Sequence, residues 1–328
     1  MVNFCYVMKF NVSQTIKDVL IWTYWYPYRI LVQKLPLRSV YLLGGIFSKI
    51  IYYILPGKRY FLKRELSLLD KKMDRQNFKK VIQNALLVLC CNEIELLLYP
   101  KLNEKNIGIL VKYSGLERLD KALASGKGAI LLFAHFGANQ MVMPAIGYRG
   151  YKMNQLSAPS TVWKEKLPNK KFSSMGKKAL DLRWRHEQSL PVKHINIFGS
   201  LKEAFLCLKK NEILGIAIDG GGGKDRVEVD FLGRKAMFST GAIDLALRTG
   251  CFVLPTFMVR DRKGYNTMII EEPLNLIKKD DTKEAVRLNA EFFIKRLEEY
   301  VLKYPCHYLN FLAFRSYVAE QGDTPFFA

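Results

Sequence analysis

The stretch Gly128-Ala-Ile-Leu-Leu-Phe-Ala-His135-Phe-Gly-Ala-Asn-Gln140 is the strongest indication of the fold class. Its unbroken apolar run, bounded by glycine, is typical of a strand covered on both faces in an α/β protein with a parallel sheet. Ligands of such sheets bind beyond the carboxyl ends of the strands. Because His135 lies at that end, just before a turn that contains glycine, the stretch predicts a displayed catalytic base. Spacing alone is equally compatible with a partly buried histidine bonded to a neighbouring carbonyl.

The chain around this stretch divides into two regions. Residues 11–105 have helical patterns, interrupted at Pro36, Pro56-Gly57 and Pro100. Beyond them, strand candidates alternate with helical stretches, as expected of an α/β sheet. We therefore predict a membrane-seeking helical region (1–105) and an α/β domain (106–328) with a mostly parallel or mixed sheet flanked by helices. The strand candidates are residues 128–134, 151–157, 194–198, 213–219, 227–231, 251–259 and 266–271.

Local signals place several helix ends. Asn139 is expected to cap a helix that continues through Met141 and Val142. Ser200-Leu-Lys-Glu203 and Asp281-Thr-Lys-Glu284 are capping boxes that each predict a helix start. Gly250 is placed to end a short helix over residues 241–248.

Charge and cysteine content limit the class of protein. The chain has 51 Lys and Arg against 30 Asp and Glu, a net charge of +21, which favours a polyanionic partner. Nucleic acid is the weakest candidate, because the sequence has no zinc-finger spacing and no RNA-binding signature. The six cysteines form no C-x-x-C pair and no metal-ligand spacing with histidine, so reduced, mostly buried thiols and a cytosol-facing protein without a metal site are expected.

The N-terminal region combines aromatic and apolar runs. Residues 21–28 contain an aromatic cluster of the kind that settles at lipid headgroups, and no cleavable signal peptide is indicated. Residues 40–56 are apolar except for Ser48 and Lys49, and as a helix they would reach only about 25 Å, against about 30 Å for a bilayer core. A short span, a helix lying in the interface and a helix packed on the protein body all fit this run.

Six segments, taken in order, resemble one family. They are the His135 stretch, Ile213-Leu-Gly-Ile-Ala-Ile-Asp219 with its glycine loop, Val229-Asp-Phe-Leu-Gly233, Phe238-Ser-Thr-Gly241, Leu254-Pro-Thr-Phe257 and Phe311-Leu-Ala-Phe-Arg315. Together they are similar to the late acyltransferases of lipid A biosynthesis, within the glycerolipid acyltransferase group. The resemblance implies attachment to the cytoplasmic face of the bacterial inner membrane. It also implies transfer of a fatty acyl group from acyl carrier protein or coenzyme A to a lipid hydroxyl, without a metal or redox cofactor.

The chain departs from that family at one position. The family motif has an Asp or Glu five residues after the histidine, where this sequence has Gln140. A hydroxyl needs a base such as His135 to take its proton, and the carboxylate orients the ring and stabilises the imidazolium. Gln140 can accept a hydrogen bond from the ring but supplies no charge. Asp219, at another strand end, is the best substitute, although bonding to the adjacent glycine backbone would explain it equally well.

Other residues are candidates for binding substrate. The glycine loop lacks the Gly-x-x-x-x-Gly-Lys pattern of a nucleotide site, but its backbone could approach an anionic headgroup. The simpler explanation of the loop is a flexible turn. Ser239 and Thr240 lie at a helix start, where capping alone would explain them. Arg183 and Arg185 lie roughly where the family has a substrate-engaging arginine, but a solvated helix face would explain both. The candidates are Asn139, Gly220, Gly221, Lys224, Arg226, Ser239, Thr240 and Arg183.

The leading hypothesis is a membrane-associated O-acyltransferase with His135 as general base, recruited by its charge to anionic lipid and acidic carrier protein. One alternative is a family member that binds lipid or acyl carrier without turnover, because Gln140 replaces the acidic partner. Another is a basic membrane-surface scaffold. The sequence does not specify the acceptor, which could be a lipid A precursor, a phospholipid, another glycolipid or an acylated natural product, nor the oligomeric state.

Overall fold

A mixed seven-stranded sheet forms the centre of the protein. The computed structural model describes residues 13–162, 172–220 and 225–328, and within them the sheet has the order β1-β9-β8-β2-β5-β3-β4. All neighbouring strands run parallel except β8 and β9, which are antiparallel. The predicted α/β class with a mainly parallel sheet is therefore confirmed. The strands are β1 Val111–Ser114, β2 Ala129–Phe133, β3 Met153–Ser157, β4 Val192–Asn196, β5 Ile213–Ala217, β8 Phe252–Arg260 and β9 Asn266–Ile270.

A separate hairpin of β6 (Arg226–Phe231) and β7 (Arg234–Ser239) lies outside this sheet. Its two-residue turn, Leu232-Gly233, has positive φ at both positions (53° and 70°), as a type I′ turn requires. The backbone N–H of Leu232 donates to Glu298 Oε1 at 2.6 Å, which offsets the cost of this conformation in a leucine. Strands β1 and β7 were not predicted, because one is very short and the other lacks an apolar run.

Helices cover both faces of the sheet. In chain order they are α1 Gln14–Thr23, α2 Arg29–Lys34, α3 Val40–Ile54, α4 Pro56–Leu69, α5 Arg75–Leu98, α6 Ile107–Leu110, α7 Leu116–Ala124, α8 Val142–Gly147, α9 Ser174–Gln188, α10 Lys202–Lys209, α11 Gly241–Thr249, α12 Thr282–Lys303 and α13 Pro305–Glu320. A π-helical turn at Tyr24–Tyr28, which contains Pro27, connects α1 and α2. The N-terminal region is helical as predicted, with a further break at residues 70–74.

Strand β2 is covered on both faces, which explains its unbroken apolar sequence. Ala129, Leu131 and Phe133 belong to one hydrophobic core, which also contains Trp25, Ile94 and other residues of the N-terminal helices. Ile130 and Leu132 face the opposite core, built with α11 and α12. The helical region and the sheet thus share a core, while the proposed division at residue 105 stays a prediction about chain organisation.

The predicted helix caps are present in part. Asp281 accepts from the backbone N–H groups of Lys283 and Glu284, but Glu284, its partner in the predicted capping box, pairs with Lys279. Gly250 ends α11 in the left-handed conformation, as predicted. Ser200 accepts from Lys202 N–H at 3.2 Å, but its partner in the predicted capping box, Glu203, pairs with Lys193 instead. The predicted cap at Asn139 is wrong. This residue begins a 3₁₀ turn, Asn139–Met141, and its side chain caps nothing.

The aromatic cluster at residues 21–28 is turned largely inward, contrary to its predicted place at lipid headgroups. Trp25 is fully buried, and its ring lies edge-on to His186 at 5.3 Å. Tyr24 donates to the carboxylate of Glu93 at 3.0 Å, and among the aromatic residues of this segment only Trp22 is more than half exposed. The packing of the π-helical turn against α5 and α9 decides this orientation.

Apolar helices are exposed to different degrees. Within the described ranges, the stretch Arg75–Lys101 is the single helix long and apolar enough to cross a membrane, and 67% of its most apolar window is buried in the protein. Helices α3 and α4 reach that criterion only together, and they are bent by 93° at Leu55. Helix α3 packs one face so closely on α5 that a Cβ at Gly44 would lie 2.8 Å from Cys91 Sγ.

A buried ion pair connects α5 to the end of β8. Arg260 donates to both carboxylate oxygens of Glu95, at 2.9 and 2.7 Å, and the two side chains are 1% and 3% exposed. Arg260 also donates to Asn92 Oδ1 at 2.7 Å and to the carbonyl of Gly264 at 2.6 Å. Four hydrogen bonds thus hold the guanidinium, while its Nε is buried without a partner among the described residues. Losing one member of a buried pair leaves an uncompensated charge.

We predict that Arg260→Met lowers the free energy of unfolding by about 3–5 kcal/mol, because Glu95 is left as an unpaired buried charge. Denaturant titration followed by circular dichroism measures the change. The matched control is Arg248→Met, which removes an exposed pair with Asp244 and should cost less than about 1 kcal/mol. Equal losses in the two variants would contradict the structural role assigned to the buried pair.

Candidate active site

His135 and Asp219 meet because two neighbouring strands are in register. Strand β2 pairs in parallel with β5, with Phe133 opposite Ala217. The ladder continues for one more step, where Ile218 N–H donates to the carbonyl of Phe133 at 2.9 Å. His135 and Asp219 each stand two residues beyond their strand ends. They therefore lie side by side at the carboxyl edge of the sheet, where α/β proteins bind ligands.

Asp219 binds His135 through both of its carboxylate oxygens. Oδ1 lies 2.7 Å from the ring Nδ1, and Oδ2 accepts from the backbone N–H of His135 at 2.8 Å. The hydroxyl of Tyr308 donates to the same Oδ2, also at 2.8 Å. The Asp219 side chain is fully buried, whereas that of His135 is 43% exposed. The carboxylate thus holds the ring at its Nδ1 edge and leaves the Nε2 edge open.

The charge of Asp219 affects the pKa values of both His135 and Tyr308. Burial alone would lower the pKa of His135, but the charge of Asp219 and the hydrogen bond to it outweigh this effect and raise that pKa above its ordinary value. The charge of Arg315 opposes the rise. Burial, followed by the charge of Asp219, raises the pKa of Tyr308 well above its usual value, so this hydroxyl stays protonated and keeps donating.

Helix α13 supplies the wall of the site. Phe311 stacks on the imidazole of His135, with ring centroids 5.2 Å apart and planes inclined by 10°. Tyr308 lies one helical turn earlier, so both side chains project from the same face of the helix. Asp219 occupies Nδ1, and Phe311 stacks on the ring. Nε2 has no hydrogen-bond partner in the part of the chain that the structure describes. This nitrogen is the one available to a bound substrate.

The turn after His135 depends on a glycine in the left-handed conformation. Gly137 has φ +60°, and a Cβ there would come within 1.8 Å of the Met258 carbonyl oxygen. Its N–H donates to the carbonyl of His307 at 2.9 Å, and its carbonyl accepts from Asn92 Nδ2 at 2.8 Å. The glycine foreseen in the sequence is therefore needed both for its backbone conformation and for close packing.

His307 supports this turn as a neutral residue. Its Nε2 accepts from the backbone N–H of Arg260 at 2.8 Å. Burial and the charge of Arg260 lower the pKa of His307 to about 4, so the ring is uncharged at neutral pH. These contacts give His307 a structural role. It connects the Arg260 network to the turn that carries His135.

Gln140 does not take the place expected for the acidic partner. In the described part of the chain its side chain makes no hydrogen bond to the His135 ring, and its backbone carbonyl accepts from Tyr99 at 3.0 Å. The reason is geometric: the turn at Gly137 leads into the 3₁₀ turn Asn139–Met141, while Asp219 already occupies Nδ1. The expected hydrogen bond from Gln140 is therefore wrong in this structure.

The other candidate residues differ in how they are placed relative to the pair of His135 and Asp219, the dyad. Ser239 N–H donates to the carbonyl of Ile218, next to Asp219, and the Thr240 hydroxyl donates to the carbonyl of Asp225. Arg226 begins β6 opposite Ser239. Burial, and then the charge of Arg226, lower the pKa of Arg315. Gly220 directly follows Asp219, with its N–H turned to the Ala217 carbonyl. Gly221 and Lys224 lie outside the described residues.

Arg183 belongs to a different part of the protein. Its Nε donates to Glu187 Oε1 at 3.0 Å, and both side chains are only 13% exposed. The expected solvated helix face is therefore wrong for Arg183, although it holds for the exposed Arg185. No hydrogen bond or ion pair of Arg183 reaches His135 or Asp219 among residues 13–162, 172–220 and 225–328.

Sequence analysis missed Tyr308, Asn92 and Arg260. Tyr308 could have been found from its position three residues before Phe311, since residues with this spacing share a helix face. Asn92 and Arg260 carry no such signal, because they act on the Gly137 turn from a helix and a strand distant in sequence. They reach it only through the tertiary fold.

Comparison with known proteins identifies relatives of this chain. The family described as bacterial lipid A biosynthesis acyltransferase matches residues 8–313. Phosphatidylinositol mannoside acyltransferases of Mycobacterium tuberculosis strains CDC 1551 / Oshkosh and ATCC 25618 / H37Rv are 29% and 28% identical over 159 residues, 47% of this chain and 46% of theirs. The chain thus spans about half the length of the curated relatives it matches.

One solved structure is also similar. The 1-acyl-sn-glycerophosphate acyltransferase PlsC from Thermotoga maritima aligns at 16% identity over 88% of this chain and 99% of its own, with a TM-score of 0.34.

We predict that Asp219→Asn lowers the pKa of His135, because the carboxylate charge is what raises it. A two-dimensional NMR titration of the histidine ring resonances measures the shift. The control is Asp230→Asn, which removes an exposed carboxylate of the neighbouring hairpin and should leave the His135 titration unchanged. An unchanged or higher pKa in Asp219→Asn would contradict the assigned interaction.

Proposed function

Because the chain belongs to the bacterial lipid A biosynthesis acyltransferase family, we propose that it transfers a fatty acyl group from a thioester to a hydroxyl of a membrane lipid or glycolipid. The single observation that carries the chemical part of this proposal is the 2.7 Å contact between His135 Nδ1 and Asp219, which leaves Nε2 of the ring available to a substrate. The thioester, of acyl carrier protein or coenzyme A, is a co-substrate.

His135 is the proposed general base. Its Nε2 removes the proton from the acceptor hydroxyl as the oxygen attacks the thioester carbonyl carbon. The C–O bond forms, the tetrahedral intermediate collapses with breakage of the C–S bond, and the imidazolium returns the proton to the leaving thiolate. Asp219 holds the ring in the tautomer with hydrogen on Nδ1 and stabilises the positive charge that forms on it. Tyr308 holds the carboxylate in place from the other side.

This arrangement bears on the alternative of a family member that binds without turnover. That alternative rested on the missing acidic residue at position 140. Asp219 supplies a buried carboxylate within hydrogen-bond distance of the ring, which supports turnover over binding alone. A basic scaffold without chemistry would leave the Asp219, His135 and Tyr308 contacts without a purpose.

Membrane association of the N-terminal helices is the second part of the proposal. Helices α1 to α3 expose large apolar side chains on the face turned away from α5 and the sheet. Because α3 has only 15 residues and one packed face, a helix lying in the interface fits better than a span. We place the protein on the cytoplasmic face of the inner membrane. The exposed side chains include Ile16, Val19, Leu20, Trp22, Ile30, Leu31, Leu42, Ile46, Ile50, Tyr53 and Ile54.

We predict that His135→Ala abolishes acyl transfer, with a loss of about 10²–10⁴-fold in kcat, since a positioned base contributes that much. Asp219→Asn should lose a similar factor, because the charge that supports the imidazolium is gone. The assay follows a radiolabelled acyl group from acyl carrier protein or coenzyme A into total membrane lipid by thin-layer chromatography.

The matched control in that assay is Gln140→Ala, which should retain activity within about threefold, as should His194→Ala on strand β4. A large loss of activity in Gln140→Ala together with normal activity in Asp219→Asn would show that Asp219 is not the acidic partner. Lipid labelling that persists in His135→Ala would contradict the general base.

We further predict that Leu42→Asp combined with Ile54→Asp moves the protein from the membrane pellet to the soluble fraction, because two exposed apolar anchors become charged. Fractionation of cells by ultracentrifugation measures the distribution. Leu302→Asp, an exposed apolar residue at the end of α12, is the control and should leave the protein with the membrane. Loss from the membrane in the control alone would contradict the assigned face.

A further inference from the structure

A pocket of about 670 Å³ opens between helix α3 and the turn that joins β8 to β9. Helix α3 and the residue just before it contribute Arg38 and Lys49, and the turn contributes Arg262 and Lys263. All four cations are exposed, and none has a carboxylate partner in the described ranges. The proposed chemistry at His135 leaves this pocket without a role.

The acidic groups near the pocket are already engaged. Asp261 Oδ1 accepts from the backbone N–H groups of Lys263 and Tyr265, and so closes the turn. Glu95, beneath the turn, is bound by Arg260 and by the hydroxyl of Tyr41. Among the residues that the structure describes, no carboxylate lines the pocket, so the positive charge of the lining is not balanced within it. An anion is the complementary occupant.

Apolar residues continue from the pocket onto the surface. Leu42 and Ile46 of α3 line it and are 71% and 54% exposed. A soluble anion would gain nothing from such a border, whereas a lipid would contact it with its acyl chains. Side by side, the cations and the apolar face match a molecule that has an anionic head and an apolar body.

The pocket lies at the catalytic edge of the sheet. Strand β8 is parallel to β2, so the turn that follows β8 is at the same edge as His135. The Arg260 guanidinium donates to the Gly264 carbonyl in this turn, and the Arg260 backbone N–H donates to His307, whose carbonyl holds Gly137. An occupant would therefore be held on the same side of the sheet as the reacting groups, on a rigidly connected turn.

We propose that this pocket binds the phosphate-bearing headgroup of an anionic membrane lipid and so holds the His135 edge of the sheet at the bilayer surface. The inference shares with the proposed function only the assumption that the protein works at a membrane. Its test measures lipid binding and not turnover. Intact vesicle binding without acyl transfer would overturn the proposed function and leave this inference standing.

The experiment measures binding of the purified full-length protein to vesicles of phosphatidylcholine, with and without 30 mol% phosphatidylglycerol, about the anionic fraction that gives a strong surface potential. The variant Lys49→Gln/Lys263→Gln removes one cation from each wall. We expect its preference for anionic vesicles to fall about 25-fold, since each basic residue at such a surface is worth about fivefold.

Two matched variants separate a pocket from diffuse charge attraction. Lys127→Gln/Lys210→Gln removes the same charge at the amino-terminal edge, beside the starts of β2 and β5, and should change the preference less than about threefold. Gly45→Leu keeps the charge and fills the pocket, since a Cβ at this helical position meets no atom within 4 Å. It should also lower the anionic preference, while binding to phosphatidylcholine alone stays equal or increases.

Three outcomes would overturn the proposal. Equal losses in the two lysine double variants would mean diffuse attraction by net charge. A normal preference in Gly45→Leu would mean that the cations act without the pocket. Selective displacement of the wild type by inorganic phosphate, at an ionic strength matched with sodium chloride, would assign the site to a soluble anion. Circular dichroism of each variant checks folding, and all five substituted positions are on the surface or open to it.

Discussion

The in-register pairing of β2 with β5 is the constraint on which the candidate site depends. Two parallel strands about 4.8 Å apart bring residues at equal distances beyond their ends into hydrogen-bond contact. Phe133 lies opposite Ala217, so the strand register alone brings His135 and Asp219 together. A shift of the β2–β5 register by one residue would turn the two side chains to opposite faces of the sheet and separate them. The apolar residues of β2, buried on both faces, fix the register and thereby the geometry of the dyad.

A second set of interactions fixes the direction in which His135 points. The turn at Gly137 is tied to α5 through Asn92 and to α13 through the carbonyl of His307. Both ties lead to Arg260, which is buried and bound to Glu95. Buried polar groups of this kind hold one geometry because every alternative leaves a donor or a charge unsatisfied. Support for the site thus comes from the same helix that forms the centre of the N-terminal region.

The N-terminal helices combine two surfaces of opposite character. Their inner face contributes to the hydrophobic core beneath the sheet, with Trp25 and Cys91 fully buried. Their outer face exposes large apolar side chains, and the cations of α3 and the β8–β9 turn border it. The helices that support the turn carrying His135 thus also carry the surface that we propose attaches to a bilayer.

The sequence by itself determined the fold class, most strands and the place of His135, because buried strands and glycine turns leave local signals in the pattern of residues. Asp219 was the best substitute for the missing acidic residue, but backbone bonding explained it equally well, and Gln140 was expected to be able to accept a hydrogen bond that it does not make. The tertiary structure alone decided this choice. Strand order and register bring residues 84 positions apart into contact, and no local pattern encodes which strands become neighbours. The same holds for Tyr308, Asn92 and Arg260, whose roles arise from packing between distant segments.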